Sequence, residues 1–161
     1  MIRDAIEADL SAIVEIYNSA IPSRTITADL EPITVESRIA WFHAHSSQDR
    51  PLWVVEDHGT IAGWLAFQTF YGRPAYHATA EISLYIAPAY RRQGIGRKLV
   101  QHAIDLSPTL EISTLLGIVY AQNQPSVQLL KQFDFQQWGF LPQVAQAENL
   151  CLDVVILGRK V

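Results

Sequence analysis

The sequence predicts an α+β fold, layered α/β/α, with a mixed, mostly antiparallel sheet and helices on both faces. The first observation behind this is the alternation of apolar patterns. Helical spacing and strand-like runs follow one another in the order β-α-α-β-β-β-α-β-α-β-β, with no linker, repeat or low-complexity tract between them. A second is the presence of apolar runs joined by short turns, which mark antiparallel hairpins. The third is size: 161 residues, 49% apolar and 17% charged, suffice for one hydrophobic core and speak against disorder. A single domain over residues 1–161 is expected.

Each element has its own local reason. MIRDAI reads as a short first strand. From Ala8 to Ala20 the residues Leu10, Ile13, Val14, Ile16 and Tyr17 recur at helical spacing, and Pro22 closes the run. Residues 23–33 have mixed polarity and read as a loop. Thr34 can cap a second helix from Val35 to His45, with Ile39 and Phe42 expected to face inward. LWVVED (52–57), the turn His58-Gly59 and IAGWLAFQTF (61–70) form a hairpin. YGRPAYH is a Gly/Pro loop, and TAEISLYI (79–86) is another strand. A helix from Gly94 to Leu106 precedes ISTLLGIVYA (112–121), whose continuous apolar character fits a strand covered on both faces. A helix from Ser126 to Phe133 and two strands, QWGFLPQV and LCLDVVILG, complete the chain.

Composition excludes several classes. A net charge of −4 has the wrong sign for a general nucleic-acid binder. The lone Cys151 allows no internal disulfide and no CxxC metal spacing, so a reducing compartment is expected, with Cys151 a small buried hydrophobe. No secretory leader or membrane-length apolar run is visible, which predicts a soluble cytoplasmic protein. His43 and His45 are two apart on a helix and cannot share a metal; no metal is expected. His102 reads as a helix-surface residue. The tryptophans Trp41, Trp53, Trp64 and Trp138 read as core or interface, with Phe70, Tyr71 and Tyr76 as aromatic candidates for an acceptor pocket.

The chemistry concentrates in AYRRQGIGRKLV (89–100), between a strand and a helix. First-turn N–H groups of a helix have no internal partner and carry the positive end of its dipole. Gly94 and Gly96 leave room for an anion to approach them, while Arg91, Arg92, Arg97 and Lys98 add charge. The Walker A pattern is absent, and Leu99 stands where a dinucleotide fingerprint needs its third glycine. What remains is [RQ]xxGxG: Arg91-Arg92-Gln93-Gly94-Ile95-Gly96. Taken alone, this also suits a tight turn followed by a solvated basic helix start.

In context, the chain resembles the GNAT superfamily of acyl-CoA N-acyltransferases, in its phosphinothricin acetyltransferase-type branch. IRDAIEADLSAIVEIYN, RPAYHATAEISLYIAPAYRRQGIGRKL and NQPS carry the resemblance, which runs end to end. It implies acetyl-CoA as cosubstrate. Leu84, Tyr85 and Ile86 would pair with the pantetheine arm as an added strand does. Arg91, Arg92, Gln93, Gly94, Ile95, Gly96 and Arg97 would hold the pyrophosphate. Asn123 and Ser126 would lie beside the pantetheine. A backbone N–H near Leu84 or Tyr85 would face the thioester oxygen. Glu81 would take the proton of the acceptor amine and touch substrate; the competing reading is a structural ion pair with an arginine. Arg73, Tyr76 and His77 would contact the acceptor, Arg73 and His77 as partners for its carboxylate. A homodimer is implied too.

Two departures stand out. Many members of the family the chain resembles place a tyrosine on the helix after the asparagine, as acid for the departing thiolate; here that position is Leu130, so the alternatives are a thiolate that leaves unprotonated, or Tyr120 or Tyr85 as the acid. The branch also carries cations after its PxV-like stretch, where this chain reads AQAENLC. The expected function is acetyl transfer to the primary amine of a small amino-acid-like molecule, of the phosphinothricin or methionine sulfoximine type. Transfer to protein or peptide amines and a non-catalytic acyl-CoA-binding module are the alternatives.

Overall fold

The computed structural model describes every residue from Met1 to Val161. Seven strands form one sheet: β1 (Ile2–Asp4), β2 (Leu52–Asp57), β3 (Thr60–Thr69), β4 (Thr79–Ile86), β5 (Thr114–Tyr120), β6 (Gln136–Ala147) and β7 (Leu150–Lys160). Their spatial order is β1-β2-β3-β4-β5-β7-β6. Four α-helices accompany them: α1 (Leu10–Asn18), α2 (Val35–His43), α3 (Ile95–Leu106) and α4 (Gln124–Lys131). The mixed, layered α+β arrangement matches the expectation from sequence. No helix is long and apolar enough to cross a membrane.

The apolar strands are continuous because both faces of the sheet are covered. On one face Trp53, Leu65, Phe67, Ala80 and Ile82 pack with Leu99, Val100 and Ala103 of α3 and Val127 and Leu130 of α4. On the other, Leu52, Val54, Trp64 and Ala66 pack with Ile13, Ile16 and Tyr17 of α1. Successive strand residues thus feed opposite cores. The β2–β3 turn places His58 at φ 47° and Gly59 at φ 80°, the paired positive angles that match the twist of a two-residue hairpin.

All strand pairs are antiparallel except β4–β5. That parallel ladder holds only Thr79↔Thr114, Ala80↔Leu115 and Glu81↔Leu116. Both strands continue, β4 to Ile86 and β5 to Tyr120, but they no longer pair. The sheet therefore forks just past Glu81.

Several expectations need correction. Thr34 does cap α2, accepting from the Ser37 N–H at 3.2 Å, but Ile39 is exposed and α2 buries no residue fully. The half-buried stripe is Arg38, Trp41, Phe42 and His45, and Ile39 lies off that face. His102 is half-buried, its ring 4.8 Å edge-on to Trp53. Cys151 is exposed, because it sits near the outer end of the β6–β7 hairpin. β6 outruns the expected 137–144, with irregular register between Leu141 and Ala145; Pro142, which has no N–H, lies in that stretch of an edge strand.

Candidate active site

Two cavities of about 530 and 520 Å³ open beside the fork. Tyr85 and Ile26 belong to both linings. Tyr85 comes from β4 beyond the fork. Ile26 comes from the irregular segment between α1 and α2, which has no periodicity to flag it in sequence.

The larger cavity is the anion site. Leu84, Tyr85 and Ile86 form its β4 wall, where the backbone has no strand partner on the β5 side. Arg91, Arg92, Gly94, Ile95, Gly96 and Arg97 form its basic end. None of the amides from Arg92 to Arg97 donates to a backbone acceptor, so an unbroken run of N–H groups is free at the start of α3. Arg92 (φ 62°) and Gly94 (φ 81°) both adopt left-handed backbone, which curls the loop. A Cβ on Gly94 would meet nothing within 4 Å, so its face is open; a Cβ on Gly96 would lie 3.0 Å from Leu129, so that glycine also serves helix packing.

The remaining members of the expected set sort clearly. Arg97 reaches over α4 to Gln132 Oε1 at 2.6 Å. Gln93 does not line the cavity; its amide braces the loop by donating to the Ala89 carbonyl at 2.8 Å. Asn123 and Ser126 line the opposite wall. Asn123 Oδ1 accepts from the Ser126 N–H at 3.4 Å, capping α4, while its Nδ2 has no protein acceptor. These donors, glycines and unpaired strand edge fit a chain carrying an amide-bearing arm and a pyrophosphate, as acetyl-CoA does.

The smaller cavity holds Glu81. Alternation along β4 puts Glu81, Ser83 and Tyr85 on its wall, opposite in facing to the buried Ile82. Burial pushes the Glu81 carboxyl above its ordinary range, with no hydrogen bond or cation to counter it. The structural ion pair is thus absent. Burial likewise pushes the Tyr85 and Tyr120 phenols up. Leu130 is buried in the core and cannot act as an acid.

The side chains expected to contact the acceptor lie apart. Arg73, Tyr76 and His77 line neither cavity. Tyr76 packs against Phe70 and Tyr71, each at 5.7 Å between ring centroids. The His77 carbonyl accepts from Arg50 at 2.7 Å, and its ring lies 3.9 Å from Asp49. The aromatic walls of the Glu81 cavity are instead Tyr17, Trp41, Trp64, Tyr85 and Tyr120, and its cation is Arg38. Nothing in the sequence assigns Arg38, Tyr17, Trp41 or Trp64 to a site. Arg38 carried no signal of its own, because the inward stripe of α2 was expected at Ile39 and Phe42 and lies instead at Arg38, Trp41, Phe42 and His45.

Residues 11–135 match the model of the Acetyltransferase (GNAT) family. The chain is 46% identical over 160 residues to YwnH of Bacillus subtilis (strain 168), provisionally named a phosphinothricin acetyltransferase; the match covers 99% of this chain and 98% of that one. It is 30% identical over 156 residues to the L-amino acid N-acyltransferase MnaT of Escherichia coli (strain K12), covering 97% and 91%. It superimposes on the structure of yncA, provisionally an acetyltransferase, from Salmonella typhimurium with its cofactor acetyl-CoA, at TM-score 0.93 and 28% identity over 99% and 92% of the two chains.

Proposed function

The chain belongs to the Acetyltransferase (GNAT) family of acetyl-CoA-dependent N-acetyltransferases, and from that premise we propose that it acetylates the primary amine of a small amino-acid-like substrate. Phosphinothricin and methionine sulfoximine are the type. The observation that carries the reading is Glu81: an unpaired, partly buried carboxylate at the fork, in a cavity of about 520 Å³ that adjoins the anion cavity through Tyr85. A space of that size suits a small ligand.

Transfer is direct. An ammonium has no lone pair, so Glu81 accepts its proton, directly or through water. The freed nitrogen attacks the thioester carbonyl carbon, and the carbonyl π pair moves onto oxygen. The unpaired backbone of β4 near Leu84 and Tyr85 supplies an N–H for that oxyanion. Collapse breaks the C–S bond and releases coenzyme A as a thiolate that takes a proton, while the nitrogen gives up to solvent the surplus proton it holds after attack, leaving a neutral amide and a thiol. Tyr85, neutral and shared by both cavities, is the phenol placed to protonate the thiolate. The free amides of Arg92 to Arg97 hold the pyrophosphate, and Asn123 and Ser126 flank the arm. Fixing both reactants contributes a term that reaches about 7–11 kcal/mol in well-oriented reactions. Arg73, Tyr76 and His77 sit on the loop feeding β4, outside both cavity linings.

The reading includes a homodimer. Edge strand β6 exposes Trp138, Phe140, Leu141 and Val144, and Val144 also lines the Glu81 cavity, so a second copy there would adjoin the site.

Thiol release from acetyl-CoA tests the proposal, measured against phosphinothricin, methionine sulfoximine, methionine sulfone, common amino acids, polyamines and peptides. Turnover on an amino acid or its analogue is expected. Turnover confined to peptide amines, or acetyl-CoA binding with no turnover, would overturn it.

A further inference from the structure

The lining of the Glu81 cavity contains one cation and one anion, Arg38 and Glu81; the rest is uncharged and mostly apolar. A free α-amino acid is the ligand with that same pair of charges. Its ammonium belongs with Glu81, the proton acceptor, which leaves its carboxylate for Arg38.

Arg38 is equipped for the task. Its guanidinium lies 5.0 Å from the Tyr17 ring centroid and 5.5 Å from that of Trp41, so two aromatic faces hold it in place. A guanidinium carries five N–H donors, and the sole hydrogen bond Arg38 makes is a long one to Asp29 Oδ2, 3.4 Å. That Asp29 carboxylate is already engaged by the Tyr17 hydroxyl. Arg50 and Arg3, by contrast, spend their donors within the fold: Arg50 on Asp49 at 2.6 Å and the His77 carbonyl at 2.7 Å, Arg3 on Asp9 and Glu56. Tyr85 lines the same cavity as both charges. Burial raises its pKa most, Arg38 pulls it down, and Glu81 pushes it up. Trp41, Trp64, Ile33 and Val154 supply apolar wall for the acceptor's side chain.

We propose that Arg38 binds the carboxylate of the acceptor, and that with Glu81 it makes the cavity selective for free α-amino acids over amines that lack a carboxylate. This rests on the proposed function and deepens it. It moves the carboxylate partner from the loop residues Arg73 and His77, which lie outside the cavity, to α2.

The test compares each amino acid with the amine left when its carboxylate is removed: methionine with methylthiopropylamine, leucine with isopentylamine. Wild type, Arg38→Gln, Arg38→Lys and Arg73→Gln are assayed for kcat/KM, with acetyl-CoA affinity measured alongside. Arg38→Gln should lower kcat/KM for the amino acid about 10- to 150-fold, the range for a hydrogen bond to a charged group, mainly through KM. The amines and acetyl-CoA affinity should hardly change. Arg38→Lys should recover part of the loss. Because the readout is a ratio within one preparation, partial misfolding cancels; where Arg38→Gln does not fold, Arg38→Lys carries the test through its reduced ratio. Wild-type turnover of amino acids with an unchanged ratio in the Arg38 variants overturns the assignment alone, as does a collapse of the ratio in Arg73→Gln instead. Wild-type silence on every amino acid overturns the assignment, and the proposed function falls with it where phosphinothricin, methionine sulfoximine and methionine sulfone are silent too.

Discussion

Glu81 stands opposite Leu116 on the last rung of the parallel β4–β5 ladder, so the carboxylate occupies the apex of the fork between the strands. The backbone up to that rung is fixed by pairing on both sides. Beyond it, β4 keeps only its β3 partner. A base held by the rigid part of the sheet therefore borders the open edge that receives the acyl donor, and a proton acceptor and an oxyanion donor follow from one strand.

Glu81→Gln keeps the shape of the side chain and removes its basicity. The variant should lose about 10²- to 10⁴-fold in kcat, the usual contribution of a positioned general base. Its acetyl-CoA affinity should stay near wild type, since Glu81 lines the other cavity. Steady-state kinetics with calorimetric titration of acetyl-CoA checks both. Undiminished kcat would sink the role given to Glu81.

The same burial sets a pH dependence. Glu81 acts as a base only when ionised, and burial raises its pKa above the ordinary glutamate value of about 4.3. The acid limb of the kcat/KM profile should thus inflect above that value and vanish in Glu81→Gln. Stability follows the opposite sign. A folded-state pKa above the unfolded one means stability is fully present below the unfolded pKa and is lost as pH rises through the folded pKa. Glu81→Gln should therefore melt higher than wild type at neutral pH, with the gap closing below about pH 4. Thermal melts across pH, with circular dichroism as readout, decide it.

The two loop glycines should separate. Gly94 has φ 81°, where an L side chain costs about 1–2 kcal/mol, although the space around it is empty. Gly94→Ala should lower unfolding free energy by that amount. In Gly96→Ala the new methyl meets the tip of Leu129 at 3.0 Å, and a flexible side chain can yield. Alanine also gains up to about 1 kcal/mol of helix propensity over glycine. Gly96→Ala should be near neutral. Urea unfolding of both variants makes the comparison.

How much of this was legible depends on periodicity. The buried strands, the Thr34 cap and the His58-Gly59 turn each rest on local residues and were readable. So was Glu81, because alternation with Ile82, Leu84 and Ile86 turns it to the other face. Arg38 and Ile26 were not. Ile26 sits in a segment with no repeat, and Arg38 acquires meaning only when α2 folds over Tyr17 and Trp64. The fork was equally hidden, since a strand's sequence says that it is covered but not where its neighbour leaves it. Tyr76 misled for the converse reason: an aromatic in a loop before the key strand satisfies itself against Phe70 and Tyr71.

The last prediction concerns the leaving thiolate. By the resemblance drawn from sequence, Leu130 stands where many such enzymes place a tyrosine, and installing that residue here should not help. Leu130 is 4% exposed, and a Cβ on Gly117 would lie 2.4 Å from its Cδ1, so the side chain rests on bare β5 backbone. A phenol there overfills the core, at a cost of about 1–3 kcal/mol. Leu130→Tyr should lower Tm without raising kcat. The proton should come instead from Tyr85, which borders both cavities, whereas Tyr120 borders only the acceptor side. Tyr85→Phe should then lower kcat by about 10²-fold or more, within the range for general acids, and Tyr120→Phe by much less. The loss in Tyr85→Phe should shrink with an acyl donor whose thiol is more acidic, because a better leaving group needs the proton less. Equal losses with both donors would assign Tyr85 to packing against Trp64, at 4.7 Å between ring centroids, rather than to proton transfer.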